Sequence, residues 1–313
     1  MRIDDVSIIL PLRWYDASML RALALSSACL VLSAIAPPEA AYVQAVDAWH
    51  AQRTARLAAE DGWLSLVGLD WLQLGENTLG TAPGSTVLLP AGTAPARAGV
   101  FIVDGGTVRV RLVEGCGILV NGQAVVEAAL KTDADGQPDL LRAGRIAFYV
   151  IRRGSRLGIR MKDPEAPARK AFQGVQRFPV DPAWRVEADF IPHATPQTRA
   201  IPTVLGTSEP MTAPGILRFK LKGRTYALEP LIEDPAHPEL FIIFRDATSG
   251  RETYPAGRFL YAAMPKAGKV ILDFNRAYNP PCAFSHFATC PLPPKRNELR
   301  VAVRAGEKDY GQH

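Results

Sequence analysis

The chain has 313 residues, 48% of them apolar and 8% aromatic, with 26 prolines and 25 glycines. That apolar fraction excludes a disordered chain, and so many turn-forming residues exclude a helical bundle, which leaves a strand-rich protein with one or two cores. The net charge of +5 rests on scattered, mostly arginine residues without a basic stripe interleaved with aromatics, so a solvated surface and no nucleic-acid partner are expected.

Residues 1–18 are polar and aromatic. From Met19 the pattern changes: a short basic start, the apolar run Ala22–Ile35, and Ala34-Ile35-Ala36 before Pro37-Pro38. This reads as a secretory signal peptide with Met19 as the true start, so residues 1–36 form a signal region and the mature protein is periplasmic or extracellular. Its apolar core is short for a bilayer, so membrane contact is expected only during export; an uncleaved anchor is the alternative. A lipoprotein signal at Cys29 fits less well, because Ser26 stands where an aliphatic residue is wanted.

Over residues 37–60, Tyr42, Val46, Trp49 and Leu57 recur at helical spacing with Gln52, Arg53 and Arg56 between them. One amphipathic helix is predicted, packing Trp49 and Leu57 onto a sheet and doing no chemistry. Residues 61–163 switch to a period of two. Val87–Leu89, Gly99–Val103, Thr107–Val113, Ile118–Val120, Arg145–Arg152 and Arg156–Met161 are predicted strands, separated by turns such as Asp104-Gly105-Gly106 and Asn121-Gly122. Such spacing predicts an antiparallel sandwich or barrel. The run Gly75–Gly80, Thr86–Pro90, Leu119–Val125 and Leu141–Phe148 resembles a forkhead-associated β-sandwich. Thr81 and the stretch Ala94–Gly99 depart from that family where it carries its arginine and serine, so no phosphothreonine peptide is expected to bind.

Prolines crowd the region from Pro164 to Pro214, which reads as an extended join, with residues 164–183 as the linker proper. His193 is expected in a loop. The second β domain, 184–313, opens with the alternating Trp184–Phe190 and continues with a hairpin turning at Lys222-Gly223. A doubly covered central strand, Leu240–Arg245, follows, and then strands Val270–Asn275 and Arg300–Arg304. The fold class is therefore mainly β: two antiparallel domains, sandwich plus sandwich or barrel, behind a signal peptide and one amphipathic helix.

No nucleotide loop, metalloprotease signature or nucleophile elbow occurs, and no cofactor is expected. Ser285 beside His286, and Ser249 near Asp246, are weak nucleophile and base pairs, because adjacent loop residues seldom face one another. His50, His193, His237, His286 and His313 support no triad. Polar groups gather instead at the ends of the last strands. Glu252, Tyr254, Arg258, Asp273, Asn275, Tyr278, Asn279 and Glu307 form the candidate ligand-binding set. On the structural alternative, Asp273 and Asn275 only bond turn backbone and Arg258 pairs with Glu252 or Glu307. Arg258 and Asp273 are the pair singled out for mutation. The leading function is a cell-envelope binding module for a small molecule, glycan or peptide. A hydrolase using Asp273 or Glu307 as general base, and a purely structural envelope protein, are the alternatives.

Phe244–Tyr254, Gly257–Leu260, Asp273–Cys282, Cys290–Pro294 and Ala305–Lys308, with Trp63–Leu72 and Gly75–Thr78 ahead of them, resemble the DUF1684 family. This is a bacterial domain of unknown function, and the resemblance covers roughly residues 45–310. It implies no reaction. Cys282, His286 and Cys290, with Asp273, have zinc-like spacing, but the family keeps the two cysteines without requiring the histidine. A disulfide between Cys282 and Cys290 in an oxidising compartment is therefore favoured over metal. Cys116 is left as a buried free thiol.

Overall fold

A computed structural model describes residues 38–311. The signal region 1–36, with Met19 and Cys29, and His313 lie outside the described residues.

The described chain is mainly β. Helix α1 (Pro38–Leu57) comes first. Ten strands then run from Leu66 to Lys162: β1 (Leu66–Trp71), β2 (Gly75–Gly80), β3 (Val87–Leu88), β4 (Gly99–Asp104), β5 (Thr107–Leu112), β6 (Ile118–Val120), β7 (Glu127–Leu130), β8 (Leu141–Ala143), β9 (Ile146–Arg153) and β10 (Arg156–Lys162). They form two five-stranded sheets, ordered β1-β10-β9-β8-β6 and β3-β2-β4-β5-β7, antiparallel except for the β2–β3 pair. The two-residue Gly105-Gly106 turn takes positive φ at both positions, which glycine tolerates, and closes the β4–β5 hairpin. Alternate residues, among them Phe101, Val110, Phe148 and Ile159, bury completely between the sheets. Each such side chain is worth about 1.5–3 kcal/mol of transfer free energy.

After a short helix, α2 (Pro167–Lys170), the chain enters β11 (Arg185–Pro202) and β12 (Ser208–Leu221). This long hairpin occupies much of the proline-rich region expected to be an extended join, and it contains His193, expected in a loop. The prolines are tolerated because beyond Asp189 the outer edge of β11 has no partner strand, and the register slips between Pro192 and Gln197. β13 (Arg224–Leu228) returns through Lys222-Gly223, both at positive φ. β14 (Leu240–Asp246), β15 (Arg258–Ala262), β16 (Lys269–Asp273) and β17 (Glu298–Leu299) complete two further sheets, β13-β12-β11-β16 and β15-β14-β17.

Leu240–Phe244 of β14 is buried on both parities, as its unbroken apolar run requires. The expected strand at Arg300–Arg304 is not one. Its backbone is diverted to side chains: Val303 O and Ala305 O accept from the Arg258 guanidinium, and Val303 N donates to Asp246 Oδ1. β17 ends just before it and pairs parallel with β14. A core running from Trp184 to Ala305 fills the space between these sheets.

Candidate functional site

Three elements assemble the site. α1 crosses the turn that follows β16, and the residues it presents there, Tyr42, His50 and Arg53, are spaced by eight and three, which keeps them on one side of the helix. Tyr42 OH donates to Asp273 Oδ1 at 2.7 Å, and His50 Nε2 donates to Asn275 O at 2.9 Å. Arg53 reaches furthest. Its Nε donates to Glu307 Oε1 at 2.5 Å, its Nη2 donates to Asn279 O at 2.9 Å, and its guanidinium lies 4.2 Å from the centre of the Tyr278 ring. The helix expected to do no more than pack thus supplies three polar side chains to the predicted set. Their partners lie more than 220 residues away in sequence.

Asn275 joins the parts. Its amide donates to Tyr42 OH and to Asp181 O, while its Oδ1 accepts from Asp181 N. Asp273 caps the following turn by accepting from Asn275 N, and lies 3.6 Å from Arg276 Nε. Glu307 accepts from Asn279 N at 2.7 Å besides holding Arg53. Asp273 and Glu307 therefore each have their own partners. Burial pushes the Tyr42 hydroxyl well above the usual phenol range, reinforced by its hydrogen bond to Asp273, so it stays a proton donor.

Arg258 pairs with neither Asp273, Glu252 nor Glu307. It is fully buried, and its Nη2 meets Asp246 Oδ2 at 2.7 Å while the same guanidinium donates to three backbone carbonyls. Gly257, at φ 95°, makes this approach feasible, since a Cβ there would sit 2.6 Å from Phe244 O. Glu252 is half-exposed and pairs with Arg304, and Tyr254 packs against the cluster of Leu57, Leu64 and Phe284. Of the eight predicted residues, Tyr278 faces an open cleft and Asp273 a neighbouring groove. Asn275, Asn279 and Glu307 brace them from behind, Glu252 and Tyr254 stand apart, and Arg258 touches the set only through the backbone carbonyl of Glu307.

The cleft measures about 610 Å³ and lies between α1 and the β14–β15 pair. Trp49, Arg53 and Arg56 of α1 form one wall, and Phe241, Phe259, Tyr261 and Tyr278 the other. The ring planes of Phe241 and Tyr261 are 24° apart at 4.9 Å, and those of Tyr261 and Tyr278 are 17° apart at 6.2 Å, giving a ladder of near-parallel faces. Arg276, Glu233 and Glu239 ring the mouth, and Tyr261 donates to Glu233. Burial, then Tyr278 and Glu233, push the Tyr261 hydroxyl upward. The sequence carried a signal for this wall that went unread: Trp49, Arg53 and Arg56 share one helical stripe, and Phe259 and Tyr261 alternate on one strand face.

Cys282 and Cys290 stand at disulfide distance with Cα atoms 6.2 Å apart, His286 is exposed on the loop between them, and Cys116 is a buried free thiol. No helix among the described residues is long and apolar enough to cross a membrane.

Residues 170–308 match the family described as "Protein of unknown function (DUF1684)", a narrower match than the 45–310 expected, which leaves Trp63–Thr78 outside it. An uncharacterized protein of Haloarcula marismortui, solved by solution NMR, is 35% identical, covering 46% of this chain and 81% of that one with a TM-score of 0.39. A structure described as concerning phosphothreonine-dependent FHA domain interactions is 21% identical, covering 30% of this chain and 92% of that one with a TM-score of 0.22. No curated protein matches the chain.

Proposed function

Because the chain belongs, through residues 170–308, to the DUF1684 family, whose description assigns no reaction, we propose a function from its cleft: a binding module for a small amphipathic molecule, glycan or peptide. One observation carries this reading. The ladder Phe241–Tyr261–Tyr278 ends in an open cleft of ligand size, where Tyr261 remains 37% exposed beside two near-parallel rings. A planar or sugar-ring face stacks on such a wall, and the arginines opposite meet a negatively charged group. Arg53 is held by Glu307 and Asn279, so its position costs a ligand little ordering.

Export to the periplasm or exterior is part of the same proposal, supported by the Cys282–Cys290 pair. Mass spectrometry of the protein from its own cells is expected to find a mature start near Pro37. An intact segment 20–36 in the cytoplasm contradicts export. The front sandwich is proposed to ignore phosphothreonine: Thr81, whose N donates to Pro95 O, stands where the resembled family carries its arginine, and Ala94–Gly99 replaces the stretch that carries its serine.

The test of binding is saturation-transfer NMR against pools of oligosaccharides, amphipathic acids and short peptides. Binders are expected to contact the Tyr261 and Tyr278 rings and to be lost in Tyr261→Ser. Binders indifferent to that substitution contradict the reading.

A further inference from the structure

The cleft does not end at Arg276. A second groove of about 850 Å³, lined by Tyr42, Arg185, Ile271 and Asp273, shares Tyr261, Ala262, Ala263 and Arg276 with it, so the two run continuously along β15. β15 is the outermost strand of its sheet.

The hydrogen bonds around β15 settle which of its backbone groups are engaged. Phe241, opposite Tyr261 across the β14–β15 pair, exchanges both its N–H and its C=O with Leu231, at 2.8 and 2.7 Å, on the far side of β14. It has none left for Tyr261. In an antiparallel pair such positions alternate, so the N–H and C=O of Tyr261 point away from β14, as do those of Phe259 two residues earlier. Both groups of Phe259 are taken by Tyr278, at 2.8 and 2.9 Å. The Tyr278 segment thus covers one position of the edge and stops. Tyr261 and the exposed Ala263 carry the edge on into the groove, with no backbone partner among the described residues.

We infer that the groove takes an extended peptide by strand addition to this edge, at Tyr261 and Ala263, with an acidic side chain of the peptide meeting Arg276. This rests on reading the cleft as a ligand site, and it names the ligand class. A donor and acceptor repeating every second residue are matched by another peptide backbone, and not by a sugar or a small acid. Charge selects the side chain. Arg276 stands where the two grooves meet; its nearest carboxylate is Asp273, 3.6 Å from Nε, beyond hydrogen-bond reach, and that buried Nε has no acceptor. The Arg276 side chain is nonetheless 40% exposed, and a peptide carboxylate meeting its exposed part supplies a charge-assisted partner. Neighbouring side chains of the peptide, alternating in direction, then fall on the Tyr261 ring on one side and on exposed Ile271 on the other.

The experiment uses the intact chain against an array of random-sequence decapeptides, each printed a second time with N-methylated backbone, alongside the folded variants Ala263→Pro and Arg276→Gln. Retained peptides are expected to alternate β-branched or aromatic residues with Asp or Glu. N-methylation and either substitution should weaken binding at least tenfold, and the amides of Tyr261 and Ala263 should gain hydrogen-exchange protection. No retained decapeptide, or retained peptides indifferent to N-methylation, overturns strand addition. If an oligosaccharide or amphipathic acid binds and is lost in Tyr261→Ser while no peptide binds, the cleft remains a ligand site and the inference alone fails.

Discussion

Arg258 Nη2 lies 2.7 Å from Asp246 Oδ2, and neither side chain has any solvent exposure. Burial pushes the guanidinium below its ordinary range, and the Asp246 carboxylate opposes that shift. Removing either partner strands the other charge in the core. Asp246→Asn and Arg258→Met are each expected to cost about 3–5 kcal/mol in urea unfolding, and the double variant Asp246→Leu/Arg258→Met to recover part of that loss. Losses below about 1 kcal/mol contradict a structural role for the pair.

Asp273 behaves differently, although the sequence coupled it to Arg258. It retains slight exposure, and its partners are Tyr42, Asn275 N and, at longer range, Arg276. Asp273→Asn keeps an oxygen for Tyr42 and for the cap, so a loss of only about 1 kcal/mol is expected, the value of one hydrogen bond. In a double-mutant cycle, Asp273→Asn and Arg258→Met should add within about 0.5 kcal/mol. A larger coupling energy between these two sites contradicts the partner assignment.

The regular elements were legible where local chemistry decides them. Lys222-Gly223 is a hairpin turn because two successive residues take positive φ, and β14 is central because its run is apolar on both parities. Arg300–Arg304 alternates like a strand yet is none, since Arg258 and Asp246, more than 40 residues away in sequence, take its backbone groups. The site was legible only in part for the same reason. Asn275, Tyr278 and Glu307 stood out in a polar, turn-rich stretch, whereas Tyr42 read as part of the packing stripe of a helix, Arg53 as one of the polar residues between, and His50 as a helix residue without a role. Only tertiary contact reveals that they bond to residues 273–307.

Burial pushes the His50 imidazole below its ordinary value of 6.5, against the hydrogen bond to Asn275 O and the Glu307 carboxylate, which raise it. Between the folded value and 6.5 the unfolded chain binds more protons than the folded one, so stability falls as pH drops through that window. Melting temperature is expected to decline on acidification below about 6.5, and His50→Gln to flatten that slope relative to the parent. Identical slopes in the two proteins contradict the account of a neutral, buried His50.

The Cys282–Cys290 link spans eight positions and ties the loop that carries buried Ala288 and Thr289. Closing so short a loop is worth about 2–3 kcal/mol by chain entropy, less what Pro281 and Pro291 already restrict. Cys282→Ser/Cys290→Ser should lower stability by up to that amount, and dithiothreitol should do the same to the parent. Stoichiometric zinc and two free thiols in protein taken from its native compartment contradict the disulfide.

The central claim is that the ring ladder between α1 and β15 receives the ligand, and heteronuclear NMR of the intact protein titrated with whichever pool component binds tests it most directly. The account predicts that the largest shifts fall on Trp49, Tyr261, Tyr278 and Arg276, and that Tyr261→Ser lowers affinity at least tenfold while the melting temperature stays within a few degrees. Shifts confined to the front sandwich or to the β11–β12 hairpin, with affinity unchanged in Tyr261→Ser, contradict it.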